Sequence, residues 1–329
     1  MAALIHSKLL AVPLEEAMAV IRAAHPDSKI KASLWPGNLS SNTPKKISRI
    51  AISGGQGFVG TRLTRHLSQA GFQCLPLTRS QHGDYLSSSQ NLKNALSDFI
   101  PHLFIHLAHP KPYNSEKTSQ IALSQVISVS SYCEDHGICL VYPSSWAVFD
   151  GLSIGNEVSR ASKVCPHTRY GRLKAMSEQY LAVAPTEGLK VRILRLPGIF
   201  GEDSLEPRFL RYFAECVRSG SEIVYHQFEN GSARVPLLHV DACVEAIADA
   251  VARFDDLALI THIGGEERSP SVAEIAARVS RETGVSTKST PVARSAFVGF
   301  FSPDIKVSRK KSADIHQFLL QLCRVQDAG

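Results

Sequence analysis

Gly54-Gly55-Gln56-Gly57-Phe58-Val59-Gly60, directly after the apolar run Ile47 to Ser53, decides the reading of this chain. A glycine-rich turn that ends a strand and opens a helix lets backbone approach a pyrophosphate, and the helix then offers its N-terminal amides to the charge. Gly54, Gly57 and Gly60 carry the three-residue spacing of such a turn. Phe58 and Val59 open the helix, with Val59 packing it onto the sheet.

Outward from this turn, strands alternate with helices. After the first strand come a helix to Ala70, a strand from Gln73 to Thr78, a helix around Ser89 to Phe99 and a strand from Leu103 to Leu107. A long helix from Thr118 to His136, a strand from Ile138 to Tyr142, a helix carrying Tyr170 and a strand from Lys190 to Leu194 follow. Short apolar runs bridged by helices predict a parallel sheet covered on both faces. The expected fold is therefore α/β, a Rossmann-type doubly wound parallel sheet with a smaller C-terminal substrate-binding part. Residues 1–46 read as an N-terminal extension with a helix from Pro13 to Ala24. Residues 47–202 form the expected NAD(P)-binding core, and 203–329 the substrate part, with about 235–265 returning to the core.

With 329 residues and 44% hydrophobic side chains, the chain has the composition of an ordinary globular protein. The formal charge of +6 is spread among acidic residues, which argues against nucleic acid as a partner. There is no run of about 20 apolar residues, so no membrane span is expected. The seven cysteines are dispersed without metal-ligand spacing and read as reduced thiols, which points to a cytoplasmic protein and no metal site.

The second strand should end at the adenosine ribose, where an acidic residue would accept bonds from the 2′-hydroxyl. Thr78-Arg79-Ser80 stands there instead. An arginine pairs with a 2′-phosphate and Ser80 adds a hydroxyl, so NADP(H) is preferred over NAD(H). Asp84 is placed to meet the adenine edge.

Tyr170 and Lys174 lie four residues apart, so both leave one face of a helix. A phenol with an ordinary pKa of about 10 works as an acid or base near neutrality once an ammonium favours its phenolate. Pro143-Ser144-Ser145 brings a hydroxyl to the carboxyl end of the sheet, where ligands of such folds bind.

Together these segments resemble the extended short-chain dehydrogenase/reductase family of NAD(P)-dependent epimerases, dehydratases and reductases. The likeness covers about residues 47 to 320. It also rests on Gly83-Asp84, Ile105-His106-Leu107-Ala108, Ser144 to Gly151, Leu194 to Gly201 and His239-Val240-Asp241. The resemblance implies that Tyr170 donates a proton to a carbonyl oxygen, that Lys174 supports it and binds the nicotinamide ribose, and that Ser145 bonds the same oxygen. It also implies that Leu107 and Ala108 line the cofactor and that Pro197 borders the nicotinamide. His106 and His109 are expected as structural or pocket-lining groups.

Dehydratases of the family carry an acidic pair behind the catalytic hydroxyl residue, whereas this chain has Trp146 and Ala147. The motifs are most similar to dTDP-4-dehydrorhamnose reductase-like enzymes. Trp146, Gly198 and Arg234 are the expected substrate contacts, Arg234 as a phosphate-binding arginine and Gly198 where an Asn is often found. The implied function is an NADPH-dependent ketoreductase of a nucleotide-activated deoxysugar or related metabolite. A 4-epimerase and a non-catalytic dinucleotide-binding regulatory protein are the alternatives. The expected partner is a small molecule, by resemblance a nucleotide sugar, with a homodimer left open.

Overall fold

The structure is a computed structural model that describes residues 47–96, 98–111, 115–152, 157–159, 161–183, 188–202, 204, 207–265, 270–296, 300–307, 315 and 318–319. The expected helix from Pro13 to Ala24 lies outside the described residues. Among the described residues no helix is long and apolar enough to cross a membrane.

In chain order the elements are β1 (Arg49–Ser53), α1 (Phe58–Gln69), β2 (Gln73–Leu77), α2 (Arg79–His82), α3 (Ser89–Ala95), β3 (Leu103–His106), α4 (Glu116–Asp135) and β4 (Cys139–Ser145). Next come β5 (Glu157–Val158), α5 (Arg169–Val183), β6 (Val191–Leu196), β7 (Gly198–Phe200), α6 (Arg208–Ser219), β8 (Ile223–Phe228) and β9 (Leu237–His239). The described chain ends with α7 (Val240–Ala252), β10 (Ile260–Gly265), α8 (Val272–Thr283), β11 (Thr287–Val292), β12 (Phe300–Phe301) and β13 (Ile305–Val307).

These elements form two compact units, the described residues within 47–144, 169–193 and 251–259 making the first and those within 145–168, 194–250 and 260–319 the second. In the first, the strand order is β2-β1-β3-β4-β6, with β1 parallel to both β2 and β3 and β3 parallel to β4. Ile50, Ala51 and Ile52 are all buried, because helices cover both faces of a parallel sheet and alternation disappears. Pro76 interrupts β2, which is tolerated at the sheet's edge. Gly60, Leu63 and Leu67 of α1 recur at helical spacing and are buried. From β1 the chain moves to β2 on one side and later returns to β3 on the other. The crevice outside the carboxyl ends of β1 and β3 is thus the topological switch point, where folds of this kind bind ligands.

In the second unit, β10 is parallel to β13, β7 to β9, and β8 to β11. Phe200, Leu210, Phe213, Ile223, Ile275 and Val279 form its apolar core. α8 starts with a capping box: Ser271 Oγ accepts from Glu274 N, and the Glu274 carboxylate accepts from Ser271 N. The fold is the expected doubly wound parallel sheet with a smaller C-terminal part.

Candidate functional site

The glycine turn is built by close approach. Gly54 has φ +71°, a backbone region that favours glycine, and a Cβ there would meet Ala108 N at 2.9 Å. A Cβ on Gly60 would lie 2.1 Å from Gly54 O, and one on Gly55 would lie 2.4 Å from the Pro76 Cβ. Gly57 is the N-cap of α1, and no side chain caps that helix and no acidic residue stands in its first turn. Its first amides and the helix dipole therefore face the switch point with no carboxylate of the helix's own first turn to compete with an anion. This arrangement fits the pyrophosphate of a dinucleotide, with Phe58 and Val59 supplying first-turn amides.

Two residues that sequence reasoning missed hold this turn. Tyr85, buried directly behind Gly83-Asp84, accepts from Gly54 N at 3.3 Å and donates to Leu77 O at 3.1 Å. It ties the turn to the end of β2, and burial raises its phenol pKa. Ser53 Oγ accepts from Ala108 N at 3.2 Å and bonds His106 Nδ1 at 2.8 Å. Leu107 N donates to Ser53 O, so Leu107 and Ala108 run on from β3 beside the turn.

Arg79 is the first residue of α2 and exposed, with Thr78 as the N-cap. Ser80 Oγ bonds Thr78 Oγ1 at 3.1 Å and Gln56 Oε1 at 3.4 Å, which brings the end of β2 against the glycine turn. Asp84 is exposed, and its carbonyl accepts from Ser87 N and Oγ.

On α5, Tyr170 is half-buried and Lys174 buried. Lys174 Nζ donates to Pro143 O at 2.8 Å and lies 4.5 Å from the Tyr142 ring centroid and 5.9 Å from that of Tyr170. Burial pulls its pKa down to about 8, opposed by the Glu178 charge. The His109 ring stands 5.4 Å from the Tyr170 ring, and its Nδ1 is 2.8 Å from Pro110 O. Burial and the Lys174 charge lower His106 to about 3 and His109 to about 4, so both are neutral near pH 7.

The remaining candidates belong to the second unit. Ser145, the last residue of β4, is buried, and its Oγ accepts from Ala147 N at 3.2 Å, capping the short helical turn that Trp146 opens. Asp150 accepts from His167 N and from Thr168 N and Oγ1, which fixes the segment leading into α5. Pro197 is buried between β6 and β7. Gly198 N donates to Pro236 O at 2.9 Å, and a Cβ there would meet Leu237 Cδ2 at 3.0 Å, so packing against β9 explains a glycine at this position. Arg234 forms a two-pronged ion pair with Glu274, at 3.1 and 3.3 Å.

The profile of the RmlD substrate binding domain matches residues 48–300. A UDP-2-acetamido-2,6-beta-L-arabino-hexul-4-ose reductase of Pseudomonas aeruginosa is 28% identical over 200 residues, 60% of this chain and 47% of that protein. The chain spans about half the length of the curated relatives it matches. Among solved structures, a Thermus thermophilus UDP-glucose 4-epimerase complex with NAD aligns with TM-score 0.67 and 20% identity, covering 83% of this chain and 98% of that one. A Bacillus anthracis dTDP-4-dehydrorhamnose reductase in complex with NADP gives TM-score 0.63 and 18% identity, covering 84% and 98%. The match over residues 48–300, on a sheet of this order and a glycine turn of this build, means that the chain belongs to the RmlD substrate binding domain family, within the extended short-chain dehydrogenase/reductase superfamily.

Proposed function

We propose that this protein is an NADPH-dependent ketoreductase acting on a carbonyl of a nucleotide-activated deoxysugar or related metabolite. The observation that carries the reading is the pairing on α5 of Tyr170 with a buried Lys174 ammonium 5.9 Å from its ring. A dinucleotide held at the glycine turn would supply the hydride. Tyr170 donates its phenolic proton to the carbonyl oxygen, and Ser145 hydrogen-bonds that oxygen. Lys174 stabilises the phenolate left behind and reaches the nicotinamide ribose.

NADP is favoured by Arg79, exposed at the end of β2 where an acidic residue would select the unphosphorylated ribose. Reduction is favoured over elimination by Trp146 and Ala147, which have no carboxylate to remove a second proton. Trp146 offers a stacking surface to the sugar.

The test is NADPH consumption on adding a series of 4-keto-6-deoxy nucleotide sugars. Turnover is expected, and Tyr170→Phe should keep NADPH binding while turnover falls by about 10²- to 10⁴-fold. Absence of turnover across the series would overturn the substrate assignment. Product without net cofactor use, with NAD retained through purification, would make the protein an epimerase.

A further inference from the structure

Glu178 lies one helical turn beyond Lys174 on α5, and only 3% of it is exposed. A buried carboxylate is costly unless it is hydrogen-bonded and set against a cation. Ser144, near the end of β4, donates its Oγ–H to Glu178 Oε1 at 2.5 Å. The preceding residue, Pro143, gives its carbonyl to Lys174 Nζ at 2.8 Å. Two consecutive residues of one strand thus hold a buried acid and a buried base of one helix face, and Tyr170 stands on that face a turn before Lys174.

We propose that Glu178 is a positioning residue for the proton chemistry of this site: pinned to β4 by Ser144, its carboxylate keeps the buried Lys174 ammonium charged and so available to the Tyr170 phenol. The proposal rests on the assignment of Tyr170 as proton donor and Lys174 as its support.

The other groups facing Lys174 do not supply this charge. Tyr142 of β4 presents its ring to the ammonium, and burial raises its phenol pKa, so it stays neutral. His106, the last residue of β3, and His109, just beyond it, are neutral near pH 7 and repel the ammonium when protonated. Tyr170 is the intended beneficiary. Without Glu178, burial alone would act on Lys174, and burial drives an ammonium towards its neutral form. A neutral amine gives the phenolate no electrostatic support.

The experiment uses the full chain without substrate, carrying lysine labelled with 13C at Cε, with the Lys174 signal assigned by its loss in Lys174→Met. Wild type and Glu178→Gln are titrated together, and phenolate absorbance is followed against Tyr170→Phe. Expected is a Lys174 proton affinity about tenfold lower in Glu178→Gln, with Tyr170 ionising at higher pH than in the wild type. An unchanged Lys174 midpoint in folded Glu178→Gln overturns the proposal. Should Glu178→Gln not fold, Lys174→Met/Glu178→Gln, which removes both charges together, is expected to restore folding. Failure of that pair to fold overturns the proposal as well. None of these readouts uses turnover, so they stand apart from any failure of the substrate assignment.

Discussion

Ser53 Oγ, at the end of β1, lies 2.8 Å from His106 Nδ1, at the end of β3. The same oxygen accepts from Ala108 N at 3.2 Å, so one hydroxyl bridges the imidazole and the Ala108 amide. One hydroxyl thus closes the carboxyl ends of two neighbouring parallel strands at the switch point, directly before the glycine turn. Ser53→Ala leaves the Ala108 amide and the His106 ring without that partner. A stability loss of about 1–3 kcal/mol is expected in urea denaturation, with weaker NADPH binding by fluorescence titration.

His106 also sets an acid limit. Burial, the Lys174 charge and the His109 charge lower its pKa from 6.5 to about 3. Between those values the unfolded chain binds a proton that the folded chain does not, so stability falls as pH drops through this window. In His106→Gln that contribution is absent, and denaturation midpoints measured from pH 7 down to pH 4 should fall less steeply than in the wild type.

The glycines of the turn are not equivalent. Gly60→Ala drives a Cβ to 2.1 Å from the Gly54 carbonyl, a backbone atom that cannot rotate away. Gly57→Ala brings it only to 3.1 Å from the same oxygen. Overpacking of the first kind is expected to cost about 1–3 kcal/mol or more and to abolish cofactor binding. Gly57→Ala should cost less stability. Thermal denaturation and NADPH titration of the two variants side by side check the order.

Much of the first unit is legible in the sequence because its strands are short, largely apolar runs and three of its helices, α1, α4 and α5, are long. Gly54 to Gly60 and Tyr170 with Lys174 are local patterns, visible at fixed spacing. Strand β4 runs to Ser145, three residues beyond the Tyr142 end expected from the sequence. The ladder with β3 closes at Val141, so the missing Pro143 N–H costs that pairing nothing. Three-residue strands such as β7 and β9 carry no periodicity, and their pairing is a tertiary contact. β11 has mostly exposed or half-exposed side chains and a proline, and its partner β8 lies far back in the chain. The same distance hid the links of Ser53 to His106, Tyr85 to Gly54 and Ser144 to Glu178. Glu178 alone left a signal, its i+4 spacing from Lys174.

Arg234 is expected to be a specificity residue with little weight in folding. Its partner Glu274 is 57% exposed at the side chain, and exposed ion pairs contribute about 0–1 kcal/mol. The capping bonds between Glu274 and Ser271 persist without it, and the Ser271 amide is the larger cause of the lowered Glu274 pKa. Arg234→Gln should therefore leave the urea midpoint nearly unchanged. If Arg234 exchanges Glu274 for a substrate phosphate, KM for a nucleotide sugar rises while kcat for a substrate without the diphosphate is unaltered.

Lys174 should leave its mark on the alkaline side. Its pKa is lowered from 10.5 to about 8, chiefly by burial. From about pH 8 to 10.5 the unfolded chain holds a proton that the folded chain has released, so this group makes stability rise with pH across that window. Below pH 8 the cost of burying the ammonium is present in full and does not vary. Buried Cys133 and Cys243 act oppositely, since burial raises their thiols and their contribution falls as pH climbs past 9. The net curve therefore hides the lysine. Subtracting the curve of Lys174→Met removes the cysteines, which both proteins share, and the difference should grow by about 1–3 kcal/mol between pH 8 and 10.5. A flat difference would mean that Lys174 holds its proton as readily in the folded chain as in the unfolded one, which would refute burial as the dominant influence on it.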